Sequence, residues 1–222
     1  HGARFRGEHF FNFNGTAGVW RREVILAAGG WSGDTITEDL DLSYRAQLAG
    51  ARFVYAQCID VPAELPLTAE AFKSQQHRWA KGSIQTLLKL GPRILRSELP
   101  LSTRVEALFH LGGNLAFPLM VMLVLLLPMT LPIREPGEFL LNLSLDVPVF
   151  FFATLSLLLF YGLSAQQSRP TSWRRDLPYV PLVLGLGAAL TLNNARAVFE
   201  ALLGHRSPFI RTPKSGDTGS SL

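Results

Sequence analysis

The chain has 222 residues and a formal net charge of +4, and 48% of its residues are hydrophobic against 17% charged. This balance indicates a membrane protein with a modest soluble part. The basic residues cluster beside apolar runs, so no nucleic-acid partner is expected. A single cysteine, Cys58, excludes an internal disulfide and fits a reducing cytosolic face. No signal-peptide pattern follows His1, so the chain is expected to be a fragment that begins inside a domain.

Residues 1–66 are expected to form an α/β region. An apolar, aromatic segment at 10–13 and a second apolar segment at 52–56 predict strands. Between them, residues 21–28 predict a short helix that ends at a glycine pair. The proline-containing segment 61–66 predicts a rigid connector to the next region.

A second helix of this region has clear start and stop signals. Thr37 is a favoured N-cap residue for a helix over 38–49, and Gly50 stands where a C′ glycine would end it. Glu38 and Asp39 then lie in the first turn, where the helix dipole favours an ionised carboxylate that could act as a base. The alternative interpretation is that these acids only complement the helix N-terminus.

The same helix start contains an Asp-x-Asp pattern, Asp39 and Asp41, of the kind that binds metals in glycosyl-transferring enzymes. Residues two apart on a helix point to nearly opposite sides, so these carboxylates cannot easily grip one ion. Asp41 is therefore interpreted as a solvated or locally hydrogen-bonded acid. No metal ligand is expected in this chain.

Residues 67–103 predict one or two amphipathic helices with a basic face, which would lie on an anionic membrane surface more naturally than span the membrane. Gln75, Arg78 and Trp79 share one helix face. Arginine can clamp diphosphate oxygens, and tryptophan offers a flat surface for a sugar ring. The alternative is a basic interfacial helix with an aromatic anchor. His77 is interpreted as a surface residue, because no second His or Cys stands near it.

Residues 104–203 predict a transmembrane region with apolar segments at about 104–132, 147–166 and 177–203. The first two contain runs long enough to span a bilayer. The third contains two prolines and a pair of asparagines and is the weakest span.

The charges of the connecting segments predict the topology. The acidic connector 134–146 suits the outside, and the basic connector 169–176 suits the cytosol. A full third span would export the basic tail, so residues 193–203 are interpreted as an interfacial helix with a cytosolic tail. The Ser- and Gly-rich end, 215–222, is expected to be disordered.

Two motifs and the apolar runs that follow them carry a resemblance to a known family. Thr-Glu-Asp at 37–39 and Gln-x-x-Arg-Trp at 75–79 together resemble the processive family 2 glycosyltransferases with a GT-A fold, the cellulose-synthase-like and bacterial glucomannan-synthase-like enzymes. The resemblance implies that residues 1–66 are the C-terminal half of a GT-A domain. It implies Asp39 as the catalytic base with Glu38 in support, and Thr37, as part of the motif, at the substrate.

The same resemblance assigns roles to the second motif. Gln75 and Arg78 would hold the nucleotide diphosphate, and Trp79 would hold the acceptor sugar. The family's metal-binding Asp-x-Asp is expected upstream of His1, with Mg or Mn as the divalent metal of the complete enzyme.

A turn before the first motif resembles the family's Phe-Cys-Gly-Ser element, which shapes the acceptor end of the site. Asn14, Gly15 and Thr16 occupy its last three positions, with Asn in place of Cys and Thr in place of Ser. Glycine at the centre allows close backbone approach. The alternative is an ordinary turn between strands.

Within residues 204–214, the segment Phe209–Lys214 resembles the family's gating loop, Phe-x-Val-Thr-x-Lys, which covers the bound nucleotide. Arg211 replaces the usual Val, and Thr212 and Lys214 match the remaining positions. The alternative is a basic juxtamembrane tail.

The resemblance implies a membrane hexosyltransferase that moves a sugar from a nucleotide sugar to a growing polysaccharide, forming β-linkages with inversion. The fragment alone is expected to be inactive, and the complete enzyme is expected in the inner or plasma membrane with its catalytic part in the cytosol. Asn114, Asn193 and Asn194 either line a polymer path or bond neighbouring helices. The alternatives are a family 2 transferase that glycosylates a lipid carrier and a non-enzymatic membrane transporter or scaffold. No partner subunit is indicated.

Overall fold

The computed structural model describes residues 1–15, 17–56, 58–59, 61–130 and 139–205. It divides into two compact units, which are described separately. The first contains His1–Leu119 and the segment that starts at Leu192, and the second contains Met120–Thr191.

The described residues form nine α-helices, which are named here in chain order: α1 Gly2–Arg6, α2 Arg22–Ala27, α3 Glu38–Leu48, α4 Ala69–Arg96, α5 Leu101–Gly112, α6 Ala116–Thr130, α7 Phe139–Ser168, α8 Val180–Ala189 and α9 Thr191–Leu202. Short 3₁₀ turns lie between α5 and α6 and before α8. The helix expected at 21–28 is present as α2.

No strand forms in the described part of residues 1–66, so the strands expected at 10–13 and 52–56 are not found there. A strand pairs with the backbone of a neighbouring strand, whereas the backbone of Phe11 pairs with the side chain of Gln47. Oε1 of Gln47 accepts a 3.2 Å hydrogen bond from Phe11 N, and Nε2 donates a 2.9 Å bond to Phe11 O. This amide satisfies the two backbone groups that a neighbouring strand would otherwise pair. The helical elements are confirmed, and the α/β class is not.

The start and end of α3 follow the sequence signals closely. Thr37 occupies the N-cap position, although its side chain makes no capping hydrogen bond. Gly50 has φ +91°, and Ala51 N bonds back to Ala46 O at 3.0 Å. This backbone reversal satisfies carbonyls at the helix end. The helix ends at Leu48, one residue before the expected end.

Residues 67–103 contain one long helix, α4, followed by the start of α5. The Thr68 side chain caps α4 by accepting a 3.2 Å hydrogen bond from Ala71 N. Pro92 lies inside the helix and is exposed. The apolar face of α4 is not all available to a membrane surface, because part of it is protein core. That core joins α3, α4 and α5 through Phe10, Leu40, Tyr44, Leu90, Ile94, Ala107 and Leu111.

Two of the described helices are long and apolar enough to cross a membrane. They are Leu101–Met129, which runs from α5 into α6, and Asp146–Ser168 in α7. A third span is counted only if the bent pair Trp173–Ala189 and Thr191–Leu202 is taken as one. The first two expected spans therefore match helices, and the third is interrupted.

Helix α9 belongs to the first unit and packs against α4. Ile84 of α4 forms a buried cluster with Val198 and Ala201 of α9. Asn193 Nδ2 also donates a 3.1 Å hydrogen bond to the backbone oxygen of Lys73 on α4. For Asn193, the helix-bonding alternative is therefore the one that the contacts support.

Candidate functional site

The predicted base lies beside the turn that the sequence placed in the same site. Asp39 is in the first turn of α3, and Gly15 has φ +72°. A Cβ added to Gly15 would lie 3.4 Å from Oδ2 of Asp39. The absence of a side chain at Gly15 therefore leaves the Asp39 carboxylate open on the side of the turn. Thr16 lies outside the described residues.

The segment that leads into this turn is held along α3 by two polar side chains that sequence reasoning missed. Phe13 N donates a 2.9 Å hydrogen bond to Ser43 Oγ, which donates a 2.6 Å bond to Asp39 O. Gln47 pairs the backbone of Phe11, as described above. Ser43 and Gln47 are one turn apart and both are buried. The sequence signal that could have identified them is a Ser and a Gln four residues apart, which share one face of the helix.

The electrostatics of Asp39 differ from the expectation based on the helix dipole. Burial raises the pKa of Asp39, and a hydrogen bond from the Leu40 backbone N–H lowers it. The neighbouring negative charge of Glu38 raises it further, so that the net pKa is above its usual value. Desolvation outweighs the helix N-terminus here. A carboxylate with a raised pKa is a stronger proton acceptor once ionised, which suits a base.

Glu38 is exposed and stands next to Asp39 in the chain. It contributes its charge to the raised pKa of Asp39. This is an electrostatic form of support, and it requires no direct contact of Glu38 with a substrate.

Asp41 is fully buried, so its interpretation as a solvated acid is wrong and its interpretation as a locally bonded acid is correct. Arg45 Nε lies 2.7 Å from its Oδ2, and Lys89 Nζ lies 2.9 Å from its Oδ1. Both carboxylate oxygens are thus occupied by cations of α3 and α4. Asp39 and Asp41 do not fit a shared metal ion, and the described residues contain no group of three metal-ligating side chains.

The second motif lies in the N-terminal half of α4. Trp79 is 53% exposed, which leaves its indole face available, and Gln75 and Arg78 are partly buried. His77 is not a free surface residue, because its ring is partly buried and its Nε2 lies 3.4 Å from Oε2 of Glu200. Burial lowers the pKa of His77, and the Glu200 charge opposes that effect. Its neutral form is therefore favoured.

Helix α4, which contains the second motif, contacts the segment that leads into α3. Gln85 Oε1 accepts a 3.0 Å hydrogen bond from Ile36 N. One turn earlier on α4, Gly82 faces Thr37, and a Cβ built on Gly82 would lie 2.8 Å from Thr37 Cβ. Trp79 lies three residues before Gly82 on α4, and Asp39 lies two residues after Thr37. The Thr37–Gly82 contact is therefore within about one helical turn of both Asp39 and Trp79 along the chain.

A charge cluster that sequence reasoning missed joins α4 to α9. Lys81 is fully buried and its Nζ lies 3.0 Å from Oε2 of Glu200, while Arg196 Nε lies 2.9 Å from Oε1. Burial alone would raise the pKa of Glu200, but the hydrogen bonds from Lys81 and Arg196 outweigh it, and the net pKa is lowered. Glu200 is therefore ionised at neutral pH and holds α9 against the helix that carries the second motif.

The remaining predicted site residues, Thr212 and Lys214, lie outside the described residues, together with the rest of 206–214.

Residues 6–189 match the family model described as Glycosyl transferase family group 2. The match covers most of the chain, and the chain belongs to this family. Similar curated proteins include glucomannan 4-beta-mannosyltransferase 7 of Arabidopsis thaliana, 48% identical over 89 residues, and probable glucomannan 4-beta-mannosyltransferase 6 of Oryza sativa subsp. japonica, 50% identical over 90 residues. No solved structure gives a significant match.

Each of these two matches covers 40% of this chain and 16% of the relative. The chain therefore spans only a small part of the length of the relatives it matches. Family membership is established, and the activity of the whole protein is a matter of proposal.

Proposed function

We propose that this chain is part of a membrane-bound, processive glycosyltransferase that moves a hexosyl group from a nucleotide sugar to a growing β-glycan, with inversion. The observation that supports the proposal lies within one unit: Asp39 is beside the Gly15 turn, and Thr37, two residues before it, packs against Gly82 of α4. Glycosyl transfer needs a base for the acceptor hydroxyl and positive charge for the departing diphosphate, and an aromatic face can hold a sugar ring.

In the proposed reaction, the ionised Asp39 carboxylate takes the proton of an acceptor hydroxyl. The hydroxyl oxygen attacks the anomeric carbon of the donor sugar and forms the new glycosidic bond. The bond from that carbon to the diphosphate oxygen breaks, and the diphosphate leaves with the electron pair. Attack on the side opposite the leaving group inverts the anomeric centre.

The other residues bind and orient the reactants. Arg78 offers a planar fork for diphosphate oxygens, with Gln75 one turn before it on the same face of α4. Trp79 presents its exposed indole to the acceptor sugar. Thr212 and Lys214 would cover the phosphates from the tail. Family 2 enzymes generally use a divalent metal that neutralises the departing diphosphate, and its ligands are expected elsewhere in the full-length enzyme.

The names of the similar proteins favour a mannosyl donor. They describe transfer of mannosyl groups in glucomannan, so we propose a nucleotide-activated mannose as the donor and a β-linked hexose polymer as the acceptor. The catalytic part would then lie on the cytosolic side, where nucleotide sugars are available.

The test is an assay of membranes that contain the full-length enzyme, supplied with radiolabelled nucleotide-mannose. The proposal predicts label in an insoluble polymer that an endo-β-mannanase releases. Label in a solvent-extractable glycolipid would support the lipid-carrier alternative instead. No incorporation from any hexose donor, with the protein folded and inserted, would support a transporter or scaffold.

A further inference from the structure

Gly82 lies where α4 approaches Thr37, the N-cap residue of α3, very closely. It is buried, and a Cβ at this position would lie 2.8 Å from Thr37 Cβ and closer still to Thr37 Oγ1 and Cγ2. Real Cβ contacts are essentially never that short, so a side chain here requires a shift of the neighbour. Threonine is branched at Cβ and stiff, so the shift cannot be absorbed by the far end of a flexible chain.

The Thr37 backbone is held on both sides, which limits where it can move. Ile36 N is bonded to Gln85 of α4, and Thr37 O accepts a 3.1 Å hydrogen bond from Asp41 N in the first turn of α3. Any displacement of Thr37 is therefore passed to the first turn of α3, which contains Asp39. Such a displacement would move the Asp39 carboxylate away from the second motif on α4.

We propose that Gly82 is a positioning residue for the base: its missing side chain lets α4 approach Thr37 and fixes Asp39 relative to the face of Gln75, Arg78 and Trp79. This inference rests on the proposed function. Helix propensity argues against a glycine here, because Gly in a helix interior is less favourable than Ala. Glycine does not stabilise the helix at position 82, so the close approach of Thr37 is the physical reason for a glycine there.

The same helix offers a matched control. Gly91 is also buried in α4, but a Cβ there would lie 3.7 Å from Leu87 Cδ1, an ordinary van der Waals contact. Gly82→Ala and Gly91→Ala are thus the same chemical change in the same helix. They differ only in whether the new methyl group meets Thr37.

The experiment compares both variants in the full-length, membrane-embedded enzyme. Gly82→Ala is expected to lower kcat about 10- to 100-fold, the range for a misplacement of about 1 Å at a reacting group, and to change the Kd for nucleotide diphosphate less than about threefold. Gly91→Ala is expected to keep the parent kcat. Equal kcat in Gly82→Ala and Gly91→Ala would overturn the proposal, and so would a loss confined to nucleotide binding.

A second pair keeps the test valid if Gly82→Ala folds poorly. Thr37→Gly removes the three Thr37 atoms that lie nearest to an added Cβ, so adding Gly82→Ala to Thr37→Gly is expected to leave the kcat of the Thr37→Gly variant unchanged within about twofold. A double variant that loses as much again as Gly82→Ala alone would show that Gly82 does not act through Thr37.

An Asp39→Asn variant separates this inference from the proposed function. If Asp39→Asn abolishes transfer and Gly82→Ala does not affect it, the base assignment stands and the positioning role of Gly82 falls. If Asp39→Asn transfers sugar like the parent, the proposed function and the inference fall together.

Discussion

The two units are stabilised in different ways. In the first, helices α3, α4 and α9 are joined by buried polar contacts: Asp41 with Lys89, and Glu200 with Lys81. In the second, the apolar stretch of the helix Asp146–Ser168 is not buried inside the protein. The first unit therefore depends on particular partners, whereas the second presents an apolar surface of the kind that suits a lipid environment. A substitution should be costly in the first unit wherever it removes a partner, and cheap in the second wherever it stays apolar.

Leu90 and Leu125 give the largest difference in stability. Leu90 is 1% exposed in the core of the first unit, and Leu125 is 67% exposed in the second. Leu90→Ala is expected to lower the free energy of unfolding by about 2–5 kcal/mol through lost contacts and a cavity. Leu125→Ala is expected to change it by no more than about 0.5 kcal/mol. Thermal unfolding of the two variants in the same detergent checks this, and equal losses would contradict the contrast.

Glu200 tests the buried charges of the first unit. Glu200→Gln leaves the buried Lys81 without the carboxylate at 3.0 Å, and the expected loss is about 3 kcal/mol. The control is Glu70→Gln, because the Glu70 side chain is 86% exposed and lies 4.0 Å from Lys73. That change is expected to cost less than about 0.5 kcal/mol. Unfolding midpoints in denaturant compare the two variants, and an equally small loss in Glu200→Gln would mean that the cluster is not stabilising.

Arg78 and Trp79 test whether neighbouring residues of α4 have separate roles. Arg78→Lys keeps a charge and loses the planar fork, so the Kd for nucleotide diphosphate is expected to rise about tenfold. Trp79→Ala removes an exposed indole, so polymer extension should slow while nucleotide binding persists. Calorimetric titration of nucleotide diphosphate measures the first effect, and product length measures the second. Equal loss of nucleotide affinity in both variants would mean that the pair acts as one structural element.

Glu38 gives the smallest expected effect. Activity needs ionised Asp39, so kcat/KM should fall as the pH drops through the raised pKa of Asp39. Glu38→Gln removes a negative charge that contributes to that raised pKa, and the acid limb should move to lower pH by a fraction of a pH unit. The control is Glu23→Gln, another acid in the first turn of a helix. An acid limb that stays in place, or moves upward, would contradict the role of Glu38.

The features that could be predicted from sequence are local ones. The start of α3 at Glu38, its end before Gly50 and the shared face of Gln75, Arg78 and Trp79 follow from capping chemistry and helix periodicity. Family membership also follows from the two motifs together.

The features that could not be predicted join residues far apart in the chain. Gln47 pairs the backbone of Phe11, and Lys81 meets Glu200 119 positions later. Neither pair has a periodic signal. Whether Asp41 is solvated or locally bonded, and how far His77 is buried, also depend on which helix packs against each residue. The raised pKa of Asp39 likewise reflects burial by the fold.

The central claim is that Asp39 is the base of a sugar transfer. Its most direct test is the single-turnover rate of Asp39→Asn in the full-length membrane enzyme, with the Kd for nucleotide diphosphate measured in the same preparation. Asparagine has nearly the same shape and cannot accept the proton. The account predicts a rate about 10²–10⁴-fold below the parent, with the nucleotide Kd changed less than about threefold. A variant that transfers sugar at the parent rate would contradict it.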